Sequence, residues 1–114
     1  MKIYHNPRCS KSRQTLQLLS DNGEEPEVIE YLKTTPDAET IKSILKKLGI
    51  SARQLLRTKE AEYKSAGLDN MDLSDDEIIA AMIKYPKLIE RPIVVKGDQA
   101  MIGRPPENIL KILT

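Results

Sequence analysis

The stretch MKIYHNPRCSKSRQTLQLLSDNGEEPEVIEYL, residues 1–32, reads as strand, helix, strand. Residues 1–5 form a short strand, and Asn6-Pro7 breaks it, because the residue before a proline is pushed away from helical angles. A helix is expected from Ser10, with Leu16 and Leu19 on one side and a stop at Asn22-Gly23. EVIEYL, residues 27–32, alternates Val28, Glu30 and Leu32 against Ile29 and Tyr31, which suits a second strand. Two strands joined through a helix make the right-handed unit of a parallel pair.

The chain beyond this unit first turns helical. Asp37 can cap a helix in which Ile41, Ile44, Leu45 and Leu48 follow the i, i+3, i+4, i+7 spacing up to Gly49. Ser51 can cap a short helix over SARQLLR, and a further short helix and a loop are expected around Gly67. LSDDEIIAAMIKYP carries a capping box, Ser74 with Glu77, and Pro86 marks its end. RPIVVKGDQAMIGRP, residues 91–105, reads as a hairpin turning at Gly97-Asp98. RPPENILKIL then closes the chain as a helix, where an early proline is tolerated because its N–H would be orphaned anyway. The order β-α-β, helices, β-β-α contains no repeat and no linker. One domain over residues 1–114 is expected, with a helical insertion over about 35–90.

The chain has 114 residues, enough for a core without disulfide or metal staples, and a formal net charge of +1. A protein that grips nucleic acid through phosphate contacts carries a basic excess or stripe, and none is present. No apolar run approaches the roughly 18 residues of a membrane span. The start lacks the apolar core of a signal peptide, and one cysteine does not make a secreted disulfide scaffold. A cytoplasmic protein without membrane or nucleic-acid partners is expected. His5 and Cys9 alone fall short of a metal ligand set.

Cys9 is the only cysteine, so any redox cycle needs a second thiol from elsewhere. It lies between a strand and a helix, where its sulfur can face the free N–H groups and positive dipole end of that helix. Arg8 and Arg13 add positive charge nearby, and His5 is a further candidate for lowering the thiol pKa. A thiol of pKa about 8.5 is only a few per cent thiolate at pH 7, and such surroundings can bring it to about 7 or below. The same cradle suits an oxyanion. The phosphatase pattern of cysteine, five residues and arginine fails, because Thr15 stands where the arginine belongs. The dithiol pattern fails too, because Ser12 stands where the second cysteine of Cys-x-x-Cys would be. Arg57, Arg91 and Arg104 are candidates for a multidentate grip on the anion.

IYHNPRCSKSR, GISARQLLR, ERPIVV and GRPPE occur in the order and spacing of the arsenate reductase family of the glutathione/glutaredoxin-coupled type, and the chain resembles that family over its whole length. The resemblance implies an α/β, thioredoxin-like core: a four-stranded mixed sheet with flanking helices and a helical insertion between the second and third strands. It implies that Cys9 is the catalytic nucleophile, that His5 lies near it, and that Arg57, Arg91 and Arg104 bind the anion. It places a cis-proline at Pro92. It also implies glutathione as co-substrate, glutaredoxin as partner and no bound cofactor. Ser10-Lys11 departs from the family's Gly-Thr pair after the cysteine. Two other functions are compatible with this architecture: an Spx-like transcriptional regulator that binds RNA polymerase, and a glutathione-dependent thiol transferase. The first typically uses a Cys-x-x-Cys switch; the second would not need the arginines.

Overall fold

The computed structural model describes residues Met1–Leu113. The chain divides into two compact units, one made of residues 1–34 with the segment from Arg91 onward, the other of Thr35–Glu90.

The first unit is built on strands β1 (Lys2–His5), β2 (Glu27–Glu30), β3 (Ile93–Lys96) and β4 (Gln99–Ile102), in the order β2-β1-β3-β4. β1 runs parallel to β2, with helix α1 (Ser10–Asp21) as the crossover, and antiparallel to β3. The register sets Ile3 opposite both Val28 and Val94. The β3–β4 hairpin turns where expected, with Gly97 at φ 59°, a conformation that costs glycine little. Ile3 and Val94 of the sheet, Leu19 of α1, and Ile109 and Ile112 of the C-terminal segment form one buried cluster. Burying a side chain of this size contributes about 1.5–3 kcal/mol.

Two elements differ from the sequence reading. β2 stops at Glu30, two residues early, because the Lys33 and Thr34 N–H groups both donate to the Glu30 carbonyl at 2.9 Å and curl the chain into a turn. The closing helix is a 3-10 helix over Pro106–Ile112. Side chains three apart eclipse in that geometry, and the three buried there are Pro106, Ile109 and Ile112. The Arg91–Pro92 peptide is cis, as expected, and so is Arg104–Pro105, which the sequence reading did not anticipate.

The second unit is helical. Helix α2 (Ala38–Leu48) starts where Asp37 accepts from the Thr40 N–H at 2.8 Å and stops at Gly49, φ 70°. Its buried residues are Ile41, Ile44 and Leu45. Helix α3 (Ala52–Leu55) opens on a Ser51–Gln54 capping box, and α4 (Ala61–Ser65) follows. Helix α5 (Asp75–Lys84) opens on the Ser74–Glu77 box and buries Ile78, Ile79 and Met82. A 3-10 turn at Pro86–Leu88 leads to Ile89, which bridges to Leu56. The Arg53 guanidinium ties down the loop after α4 by donating to the carbonyls of Leu68 (3.0 Å) and Asn70 (2.8 Å).

Candidate active site

β1 ends at His5, and the loop Asn6-Pro7-Arg8 delivers Cys9 to the N-cap of α1. The loop is internally braced. The Cys9 N–H donates to the Asn6 carbonyl at 3.0 Å, and the Arg8 N–H donates to Asn6 Oδ1 at 3.0 Å. Cys9 is extended (φ −96°, ψ 123°), and its carbonyl accepts the first helical bond from the Arg13 N–H at 3.0 Å. An N-cap side chain normally supplies an oxygen to the orphan N–H groups. The neutral thiol makes no such bond, so these donors remain available to a thiolate.

Several forces act on that thiol. Burial pushes it up, while the Ser12 N–H, the Arg91 charge, the Lys11 N–H and a hydrogen bond from Arg91 pull it down; the net result is a Cys9 pKa below its ordinary value. The cation responsible is Arg91, from the segment entering β3. The sequence reading placed Arg8 and Arg13 in that role. The Arg13 guanidinium instead donates to the Pro7 carbonyl at 2.9 Å, and its charge bears on His5.

His5 is buried, with its Nδ1 2.7 Å from Ser12 Oγ. Burial lowers its pKa, Glu30 opposes that, and Arg13 reinforces it. The ring is therefore held neutral. Ser12 Oγ also accepts from the Asn6 N–H at 3.0 Å, so one hydroxyl joins the His5 ring to the loop before Cys9. His5 thus bears on Cys9 through Ser12, whose N–H faces the sulfur, rather than as a neighbouring charge.

The other two candidate arginines are placed differently. Arg104 is exposed, and its carbonyl accepts from Asn108 Nδ2 at 3.1 Å. It follows Gly103, which is buried beside Thr15 of α1. Arg57 belongs to the second unit, where its N–H donates to the Leu88 carbonyl at 2.8 Å and its Nη1 pairs with Glu60 Oε1 at 2.9 Å. Within the first unit the structure joins Cys9, Arg91 and, through Ser12, His5. The sequence reading does not include Ser12 among the site residues. Ser12 was noticed only as an absent cysteine, although its position three residues after an N-cap is where a donor N–H is expected. Among the described residues, no group of three or more His, Cys, Asp or Glu could hold a metal ion.

Residues 4–112 match the ArsC family. The chain belongs to this family. It is 57% identical over 114 residues to the uncharacterized protein YfgD of Escherichia coli strain K12, covering 99% of this chain and 96% of that protein. It is 54% identical over 112 residues to an arsenate reductase of Haemophilus influenzae, covering 97% of each. Among solved structures, an arsenate reductase from Vibrio cholerae superposes with a TM-score of 0.96 at 53% identity, covering 98% of this chain and 96% of that one. The mixed four-stranded sheet with flanking helices is accordingly the thioredoxin-like fold of the ArsC family. No helix among the described residues is long and apolar enough to cross a membrane.

Proposed function

We propose that the protein is a cytoplasmic arsenate reductase whose single catalytic thiol, Cys9, is served by glutathione and glutaredoxin. One observation carries this reading: a cysteine at a helix N-cap, with two backbone N–H groups and the Arg91 guanidinium directed at its sulfur and its pKa lowered. A nucleophile in an anion cradle is suited to attack on an oxyanion, and the names of the Haemophilus and Vibrio relatives supply arsenate as the substrate.

In the proposed cycle the Cys9 thiolate bonds to arsenic, and an arsenate oxygen leaves as water after taking up protons. The glutathione sulfur then bonds to arsenic while a second arsenate oxygen leaves as water, arsenic remaining As(V). A glutaredoxin thiol then takes the glutathione sulfur as a mixed disulfide, arsenic falls from As(V) to As(III), and hydrolysis returns Cys9 and arsenite. Two external thiols thus lose two electrons to one arsenate. Cys9 is regenerated, as a chain with one cysteine requires. Arg57, Arg91 and Arg104 are assigned to the oxyanion, where their charge offsets the approach of two anions. His5 is assigned to the support of Ser12. Residues 1–114 act as one thioredoxin-like domain in this reading, with about 35–90 as its insertion.

Arsenite formation with glutathione and glutaredoxin, measured for wild type and Cys9→Ser, tests the proposal. Turnover in wild type and none in the variant is expected. No turnover in wild type, or full turnover in Cys9→Ser, overturns it.

A further inference from the structure

Arg91 acts on Cys9, yet it sits just outside β3, with no strand pairing of its own. What holds it there can be traced through its neighbours. Pro92, the next residue, is buried, and its carbonyl accepts the Gly103 N–H at 3.0 Å. Gly103 in turn presses on α1. A β-carbon built on Gly103 would fall on Thr15 Oγ1 and come within 2.9 Å of both Thr15 Cγ2 and Pro92 Cγ. Thr15 is 0% exposed, and its hydroxyl lies 2.8 Å from the Lys11 carbonyl and 3.4 Å from the Gly103 carbonyl. Gly103 has none of the positive φ that would make glycine necessary for backbone reasons. Its missing side chain is therefore a matter of space: α1 and the Pro92 segment close on it from two sides.

We propose that Gly103 and Thr15 are positioning residues for Cys9: their contact seats the Pro92 segment against α1 and so fixes the distance from the Arg91 guanidinium to the thiol. Neither touches the sulfur. They act on it through Arg91, and the proposal rests on the reading of Cys9 as the reacting thiolate. A methyl group at position 103 would have to displace either Thr15 or Pro92. Thr15 is anchored in α1, where its hydroxyl donates to the Lys11 carbonyl at 2.8 Å. A displacement of the Pro92 segment carries the adjoining Arg91 off the sulfur, and that is the side on which the proposal places the shift.

The readout is alkylation of Cys9 by iodoacetamide as a function of pH. It needs no arsenate, so the seat can fail while arsenate reduction stands, and the reverse. Gly103→Ala should slow alkylation at pH 7 by roughly 3- to 10-fold and leave the rate at pH 10 unchanged, since only the thiolate fraction alters. In an Arg91→Ala background, Gly103→Ala should slow the reaction no further, because its effect passes through Arg91. Thr15→Val, which keeps the volume and loses the hydroxyl, should slow it about 2-fold at pH 7, and it serves if Gly103→Ala does not fold. An unchanged pH profile in whichever variant folds overturns the proposal. So does a Gly103→Ala effect that persists in full without Arg91, which would mark a merely structural disturbance.

Discussion

Removing the Ser12 hydroxyl should weaken the fold far more than a serine-to-alanine change usually does. Ser12 is 0% exposed, and its Oγ serves two partners, the Asn6 N–H at 3.0 Å and His5 Nδ1 at 2.7 Å. In Ser12→Ala both partners lose their bond. A buried polar group left unmatched costs about 1–3 kcal/mol. His5 is 6% exposed and bears most of that cost, while Asn6 is half-buried and can recover part of its bond from water. The sum is about 2–4 kcal/mol, a large share of the 5–15 kcal/mol typical of a domain this size. Urea denaturation should show the loss as a lower midpoint at unchanged m-value, with a fall in Tm of roughly 8–16 °C. Acid adds a second arm. Burial holds the folded His5 pKa below its ordinary value, so the unfolded chain binds the extra proton first. The stability that depends on the neutral ring is complete above about pH 6.5 and is lost as pH falls through the folded pKa. Ser12→Ala within about 0.5 kcal/mol of wild type at pH 7.5 would refute the reasoning, because it would mean that neither partner depends on the hydroxyl.

Arg91→Ala should return the Cys9 thiol toward its ordinary pKa, slowing alkylation at pH 7 about 10-fold, as loss of a charge-assisted hydrogen bond at a half-exposed site implies. Because the folded thiol pKa is depressed, wild type should gain stability over Cys9→Ser above the unfolded pKa and lose that gain as pH falls through the folded one; melts across pH 5–10 check the sign. Ser74→Ala removes the hydroxyl oxygen that accepts the Glu77 N–H at the start of α5 and should cost about 1 kcal/mol by urea denaturation, without altering Cys9 alkylation.

Much of the fold is legible in the chain because its signals are local. The strand–helix–strand opening, the Asp37 and Ser74 caps, the Gly49 stop and the Gly97 turn each depend on residues within one turn of each other, and each appears where the residues put it. The end of β2 and the 3-10 form of the last segment were not legible. The first depends on which donors reach the Glu30 carbonyl, the second on a core that takes side chains every third residue. The position of Cys9 before a helix was also local. Its chemical setting was not, because the cation that acts on it lies 82 positions along the chain, a span crossed only when β3 pairs with β1. The two arginines beside Cys9 in sequence were the natural candidates, yet one turns back to the Pro7 carbonyl, since adjacency along a chain does not set the direction of a side chain. Residue types and their spacing determined which groups this protein has to work with. Only the pairing of distant strands decided that the thiol meets Arg91 and that Gly103 leaves room for Thr15, because those distances follow from how the sheet and helix close on each other.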